Sequence, residues 1–236
     1  MNAVYNFMDS LIPVIAIVPP TVAFLLFATV LFLKYKKKKD RTTMYFMLAF
    51  LSVGFGYGAW ATRTIFYPPD MFGPELFFWH KMAYLFSMAI WVFLGLAALE
   101  FLKPGIIRKI RNLLLFVTPM IFVWIWMLFS VPVCSIIVAG QTDCLLAAPL
   151  STAAGTLAVL YFIIPNYVFI WFLVKNPGHR LYNRVMLMEM GLILLTLAIL
   201  VEGLKIGMGA TESWGLFVRW FTALGAFIMM YAYTKK

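Results

Sequence analysis

The chain has 236 residues, 64% of them hydrophobic and only 12% charged, with a formal net charge of +10. Soluble domains run to about 45–50% apolar and about 25% charged residues, so this composition excludes an ordinary soluble enzyme and points to lipid as the main solvent. The positive balance, including the run Lys36 to Lys39, does not read as nucleic-acid binding, because apolar helices flank it and anionic lipid headgroups are the nearer partner.

A spanning helix needs roughly 20 apolar residues. Seven stretches qualify, which predicts an all-α integral membrane protein, a single seven-transmembrane-helix bundle over 1–236. The first covers 11–33 and is interrupted by Pro19 and Pro20. Its lead, Met1 to Ser10, has no basic region and carries Asp9, so it reads as an anchor and not as a cleaved signal peptide. The second, 44–66, is rich in small residues. Ser52, Gly56 and Ala59 share one helical face and Gly54, Gly58 and Ala61 another, a spacing that lets backbones approach closely in lipid. That predicts a central position for this helix in the bundle; a glycine-lined ligand slot is the alternative.

The third stretch, 76–102, starts with His80 and Lys81 and ends on Glu100, three residues before Lys103, which suggests a local ion pair. The fourth, 112–134, contains Pro119, and the fifth, 151–174, contains Pro165 beside Asn166. Each proline removes a backbone donor and tends to kink its helix. The sixth, 185–206, carries Glu189 near its start and Glu202 and Lys205 near its end; the seventh, 214–234, carries Arg219.

The basic residues are one-sided. Six lie in the first loop (Lys34, Lys36 to Lys39, Arg41), four in the third (Lys103, Arg108, Lys109, Arg111), three in the fifth (Lys175, Arg180, Arg184) and two in the tail (Lys235, Lys236). Basic loops stay cytoplasmic. The expected topology therefore has the N-terminus outside and the C-terminus inside a plasma membrane. Trp60, Tyr67, Trp79, Trp214 and Trp220 fall near the outer boundary and Tyr35, Tyr45, Tyr182, Tyr231 and Tyr233 near the inner one, as aromatic belts require. Cys134 and Cys144 both fall in the second outer loop, where a disulfide is permitted. Such a bridge would stabilise by about 3 kcal/mol; two free thiols are the other reading.

Four basic residues break the one-sidedness: Arg63, Lys81, Lys205 and Arg219 lie inside helix ends on the outer side. With His80 and Glu202 they form one layer at about 1.5 Å per residue. Charge in hydrocarbon is costly and faces protein or water. Arg63, His80, Lys81, Glu202 and Arg219 are accordingly the candidate ligand-binding residues, suited to a small acidic or polar ligand from outside, with Glu202 and Arg219 expected to pair. Ion pairing with snorkelling to headgroups is the competing reading. A proton relay is not expected, because helices 1, 4 and 5 hold no ionisable core residue.

No metal site is expected, since His80 and His179 lie on opposite sides and no Cys/His cluster has zinc spacing. No phosphate-cradling Gly-rich loop and no nucleophile-elbow motif is present, so no catalytic residue and no cofactor is assigned.

Seven helices of this total length resemble microbial rhodopsins, and Leu200 to Gly209 loosely resembles their retinal-lysine helix. The match breaks down because Lys205 lies on helix 6 near the outer end, and helix 7 has no lysine before its tail. The G-protein-coupled receptor motifs are likewise missing: Leu99-Glu100-Phe101 stands where Asp-Arg-Tyr would end helix 3. The small-residue helix Tyr45 to Arg63 and the last helix, Val218-Arg219-Trp220-Phe221-Thr222-Ala223-Leu224-Gly225, resemble the seven-helix membrane sensor regions that precede histidine kinases and other output domains in prokaryotes. The resemblance implies a non-enzymatic sensor. With no output domain before Lys236, its signal would pass to a separate protein partner. The alternative functions are an accessory subunit of a larger membrane complex, or a small transporter or channel.

Overall fold

In a computed structural model the described residues are 7–66, 74–131, 133–136, 142–145, 149–208 and 212–234; within them the side chains of 7–14, 16, 64, 75–76, 133–136, 142–145, 199–200, 202–208 and 212–217 lie outside the description. The order is α1 (Phe7–Lys38), α2 (Arg41–Phe66), α3 (Pro74–Leu102), a 3-10 turn at Ile106–Arg108, α4 (Ile110–Phe129), β1 (Val133–Ile136), β2 (Thr142–Leu145), α5 (Leu150–Lys175), α6 (Tyr182–Met208) and α7 (Glu212–Thr234). Among the described residues, five of these helices contain stretches long and apolar enough to cross a membrane: Ile17–Lys38, Arg41–Arg63, Phe77–Leu102, Ile110–Phe129 and Leu150–Lys175.

Two boundaries differ instructively from the sequence expectation. α1 runs on through the lysines to Lys38, because lysine is a good helix former and a cation is favoured at a helix C-terminus. Lys39 then turns with φ of 51°, and Asp40 caps α2 by accepting from the Thr43 N–H at 2.9 Å. α4 ends at Phe129, not near 134. Ser130 is already extended, and Val131 precedes Pro132, whose ring disfavours a helical residue before it. The chain passes instead into the antiparallel pair β1–β2, which sets Cys134 opposite Cys144.

Neighbouring helices follow the order α1, α2, α3, α5, α6, α7 and back to α1, so six helices close a ring. α4 lies outside it, against α3 and α5. It buries Met120, Val123 and Met127 there and leaves Leu115, Phe122 and Phe129 exposed. Lys81 Nζ donates to the Leu128 carbonyl at 2.7 Å, and the Tyr161 hydroxyl donates to the Phe116 carbonyl, which pins α4 from both neighbours.

The two small-residue faces of α2 serve two partners. A Cβ on Gly54 would lie 2.6 Å from Leu25 of α1, and one on Gly56 would lie 2.9 Å from the Ser87 backbone N and 3.0 Å from the Ala83 carbonyl of α3. α6 and α7 touch even more closely. A Cβ on Gly191 would come within 2.6 Å of the Gly225 carbonyl, and one on Gly225 within 2.7 Å of the Gly191 carbonyl. Small residues therefore set the helix spacing where lipid supplies no hydrophobic drive between helices.

Aromatic rings fill the ring of helices. Trp60 and Tyr57 of α2 meet at 6.4 Å, Tyr57 meets Phe24 of α1 at 5.7 Å, and Phe24 meets Phe50 at 5.9 Å. The series continues through Phe27 at 4.4 Å to Tyr233 of α7 at 6.2 Å. It covers about 15 Å along α2 between Trp60 and Phe50, at 1.5 Å per residue, and passes through Phe27 to Tyr233 near the basic end.

Candidate functional site

The bundle has a basic end, where α1 meets α2 and α7 finishes, and a hairpin end, where β1–β2 lies. The candidate residues come from four helices at the hairpin end. Arg63 is the last basic residue of α2 and is 5% exposed; His80 lies on α3 and is 3% exposed. Both are therefore built into the protein and do not snorkel freely. Arg219 of α7 is half-buried, and its guanidinium lies over the Trp60 ring at 4.6 Å from the centroid. Trp60 precedes Arg63 by one helical turn and shares its face. The layer thus joins α2 and α7 through a cation on an aromatic face, with a second buried cation next along α2. A partly desolvated contact of this kind contributes about 1–2 kcal/mol.

Lys81 follows His80 but reaches across to the C-terminal carbonyl of Leu128 on α4. That bond makes it a staple of the peripheral helix. The Glu202 and Lys205 side chains lie outside the described residues, and so does the expected pairing of Glu202 with Arg219. Trp60 is the contributor that sequence reading assigned to an aromatic belt. Its signal was the three-residue spacing to Arg63. Among the described residues, no group of three or more His, Cys, Asp or Glu is placed to hold a metal ion.

Two further in-helix carboxylates, Glu100 and Glu189, sit toward the basic end. Glu100, 6% exposed, accepts the Gly105 N–H at 3.0 Å through Oε1, which closes the turn after α3. Glu189 of α6 is 4% exposed, and neither of its oxygens has a hydrogen-bond partner among the described residues. An unsatisfied buried polar group costs about 1–3 kcal/mol, and an apolar group of like shape avoids that penalty. Glu189→Met is therefore expected to raise the thermal midpoint by roughly 2–10 °C, read by thermal unfolding in detergent. A lowered midpoint would show that Glu189 has a stabilising partner. Farther along the same face of α6, Thr196 accepts from Asn166 Nδ2 at 3.3 Å, so the polar side chain after Pro165 is used to join α5 and α6.

No protein-family model matches the chain, and no curated protein matches it.

Proposed function

We propose that this chain is a non-enzymatic seven-helix sensor or receptor-like module of the plasma membrane. In this reading all seven helices span, the N-terminus lies outside, and the hairpin end faces out. The basic-loop count supports that orientation, since fifteen of nineteen Lys and Arg residues fall at the other end. Cys134 and Cys144 form a disulfide across β1–β2. Their direct opposition supports it, because opposed residues of an antiparallel pair have Cα atoms about 4.5–5.5 Å apart, within the range a disulfide spans.

The ligand is a small acidic or polar molecule received by Arg63, His80 and Arg219, with Lys81, Glu202 and Trp60 at the margin of the site. The observation that carries the reading is the Arg219–Trp60 contact one helical turn along α2 from buried Arg63, with buried His80 on α3. Positive charge placed inside helices, away from the loops, is retained at a cost in lipid and is a functional feature by default. The signal passes along the aromatic series to the basic end and from there to a separate protein partner.

The test is thermal unfolding of the purified chain with a panel of small carboxylates, acetate to citrate, against chloride at matched ionic strength. At least one acid is expected to raise the midpoint by a few degrees. Arg219→Gln should abolish that shift, and Lys37→Gln, on an exposed position at the basic end, should keep it. No shift with any acid, or an undiminished shift in Arg219→Gln, would sink the proposal.

A further inference from the structure

The basic run that ends α1 is not uniform. Lys34 turns inward: its ammonium donates to the Tyr233 carbonyl of α7 and lies 5.0 Å from the centroid of that ring. Lys36 and Lys39 are exposed, and each lies over the aromatic ring four residues before it. Lys36 Nζ is 5.7 Å from the Phe32 centroid, and Lys39 Nζ is 5.2 Å from the Tyr35 centroid. Positions 32, 35, 36 and 39 fall at i, i+3, i+4 and i+7, so the two ring–ammonium pairs stand side by side on one face of α1. Lys37 and Lys38 are equally exposed but follow Leu33 and Lys34 at that spacing, not rings. The neighbouring carboxylate, Asp40, has its Oδ2 engaged by the Thr43 N–H and Oγ1 at 2.9 and 2.7 Å.

We infer that this face binds one anionic phospholipid, its phosphate between Lys36 and Lys39 and an acyl chain along α1. Side chains on a helix tilt toward its N-terminus. Both ammoniums are therefore folded back toward the apolar stretch that begins at Ile17, not out into water. The rings hold them there. Two lysines one turn apart repel, and a phosphate between them reverses the sign of that interaction. Below them the surface is apolar: Val22, Leu26, Phe32 and Leu33 are each about half exposed, and the Thr29 hydroxyl among them is spent on the Leu25 carbonyl at 2.8 Å. Positions 22, 26, 29, 33 and 36 recur at steps of four and three, so this seam leads directly to Lys36. Basic clusters attract anionic lipid diffusely; paired, ring-held ammoniums above an apolar seam make a discrete site. An acidic segment of a protein would meet the charges and leave the seam unused, so the lipid is the occupant this face fits. The inference requires only that α1 crosses the membrane and stands without the ligand layer at the hairpin end.

The experiment is thermal unfolding of the full chain in nanodiscs of phosphatidylglycerol and in nanodiscs of phosphatidylcholine. The midpoint is expected to be several degrees higher in phosphatidylglycerol. The difference is taken within each variant, so a general change in stability cancels. Lys36→Gln with Lys39→Gln should remove most of it. Phe32→Leu with Tyr35→Leu should also reduce it, although no charge is lost, because the ammoniums lose their hold. Phe32→Leu serves alone if the double variant does not fold. Lys37→Gln with Lys38→Gln removes the same charge and should leave most of the difference in place. A poly-glutamate peptide added to the chain in phosphatidylcholine nanodiscs should give no shift. Equal midpoints in the two lipids, equal losses from the two lysine pairs, or an undiminished difference in the ring variant would overturn the inference. So would a shift with the peptide that disappears in the Lys36→Gln, Lys39→Gln variant, which would assign the face to an acidic protein segment.

Discussion

Phe50→Ala is expected to lower stability by about 3–5 kcal/mol, a fall of roughly 6–20 °C in thermal midpoint for a chain of this size. Phe50 is fully buried and sits between Phe24 at 5.9 Å and Phe27 at 4.4 Å, in the middle of the aromatic series. Truncation would open a cavity that three packed helices cannot close by a small shift. The control is Phe122→Ala on α4, a residue 68% exposed. Its ring meets lipid in the proposed arrangement, and lipid replaces the lost contacts, so a change within about 1 kcal/mol is expected. Equal losses from the two substitutions, measured by thermal unfolding in the same detergent, would contradict the packing described.

Gly225→Leu carries the second large effect. The first added carbon would lie 2.7 Å from the Gly191 carbonyl, which is backbone and cannot rotate away. α7 must then separate from α6, at a cost of about 3 kcal/mol, the upper part of the overpacking range. The midpoint should fall by roughly 6–12 °C. Gly155→Leu is the matched control, since nothing lies within 4 Å of a Cβ built there. It should be neutral or slightly stabilising, because a glycine in a helix interior costs about 1 kcal/mol relative to better helix formers. If Gly155→Leu proves as harmful as Gly225→Leu, close approach is not what sets the helix spacing.

Much of this architecture was legible in the sequence. Hydropathy alone delimits seven helices, and the two small-residue faces of α2 are visible in the spacing of Gly54 and Gly56, which the structure turns to α1 and α3 respectively. The peripheral place of α4 was not legible. A helix apolar all round looks the same whether its neighbours are lipid or protein, because the two solvents are equally apolar. The early end of α4 was readable from Pro132, whose effect falls on the residue before it. The role of Lys81 was hidden for a different reason: its acceptor is the Leu128 backbone, which carries no residue-type signal. Arg219 and Trp60 lie 159 positions apart, and only the fold brings them to 4.6 Å. Arg63, His80 and Arg219 could be named from the sequence because charge inside an apolar helix is conspicuous. That Arg219 meets Trp60 could not.

In the proposed orientation the hairpin end faces out and the basic end faces in, and thiol labelling in intact cells tests that sidedness directly. A membrane-impermeant maleimide should leave Cys134 and Cys144 untouched at first and label both after an impermeant reductant opens their bridge. In a Lys37→Cys variant of a chain with both native cysteines changed to serine, the single thiol should react only after the cells are broken. Labelling of Lys37→Cys in intact cells, with the native cysteines protected until lysis, would invert the topology and contradict the account.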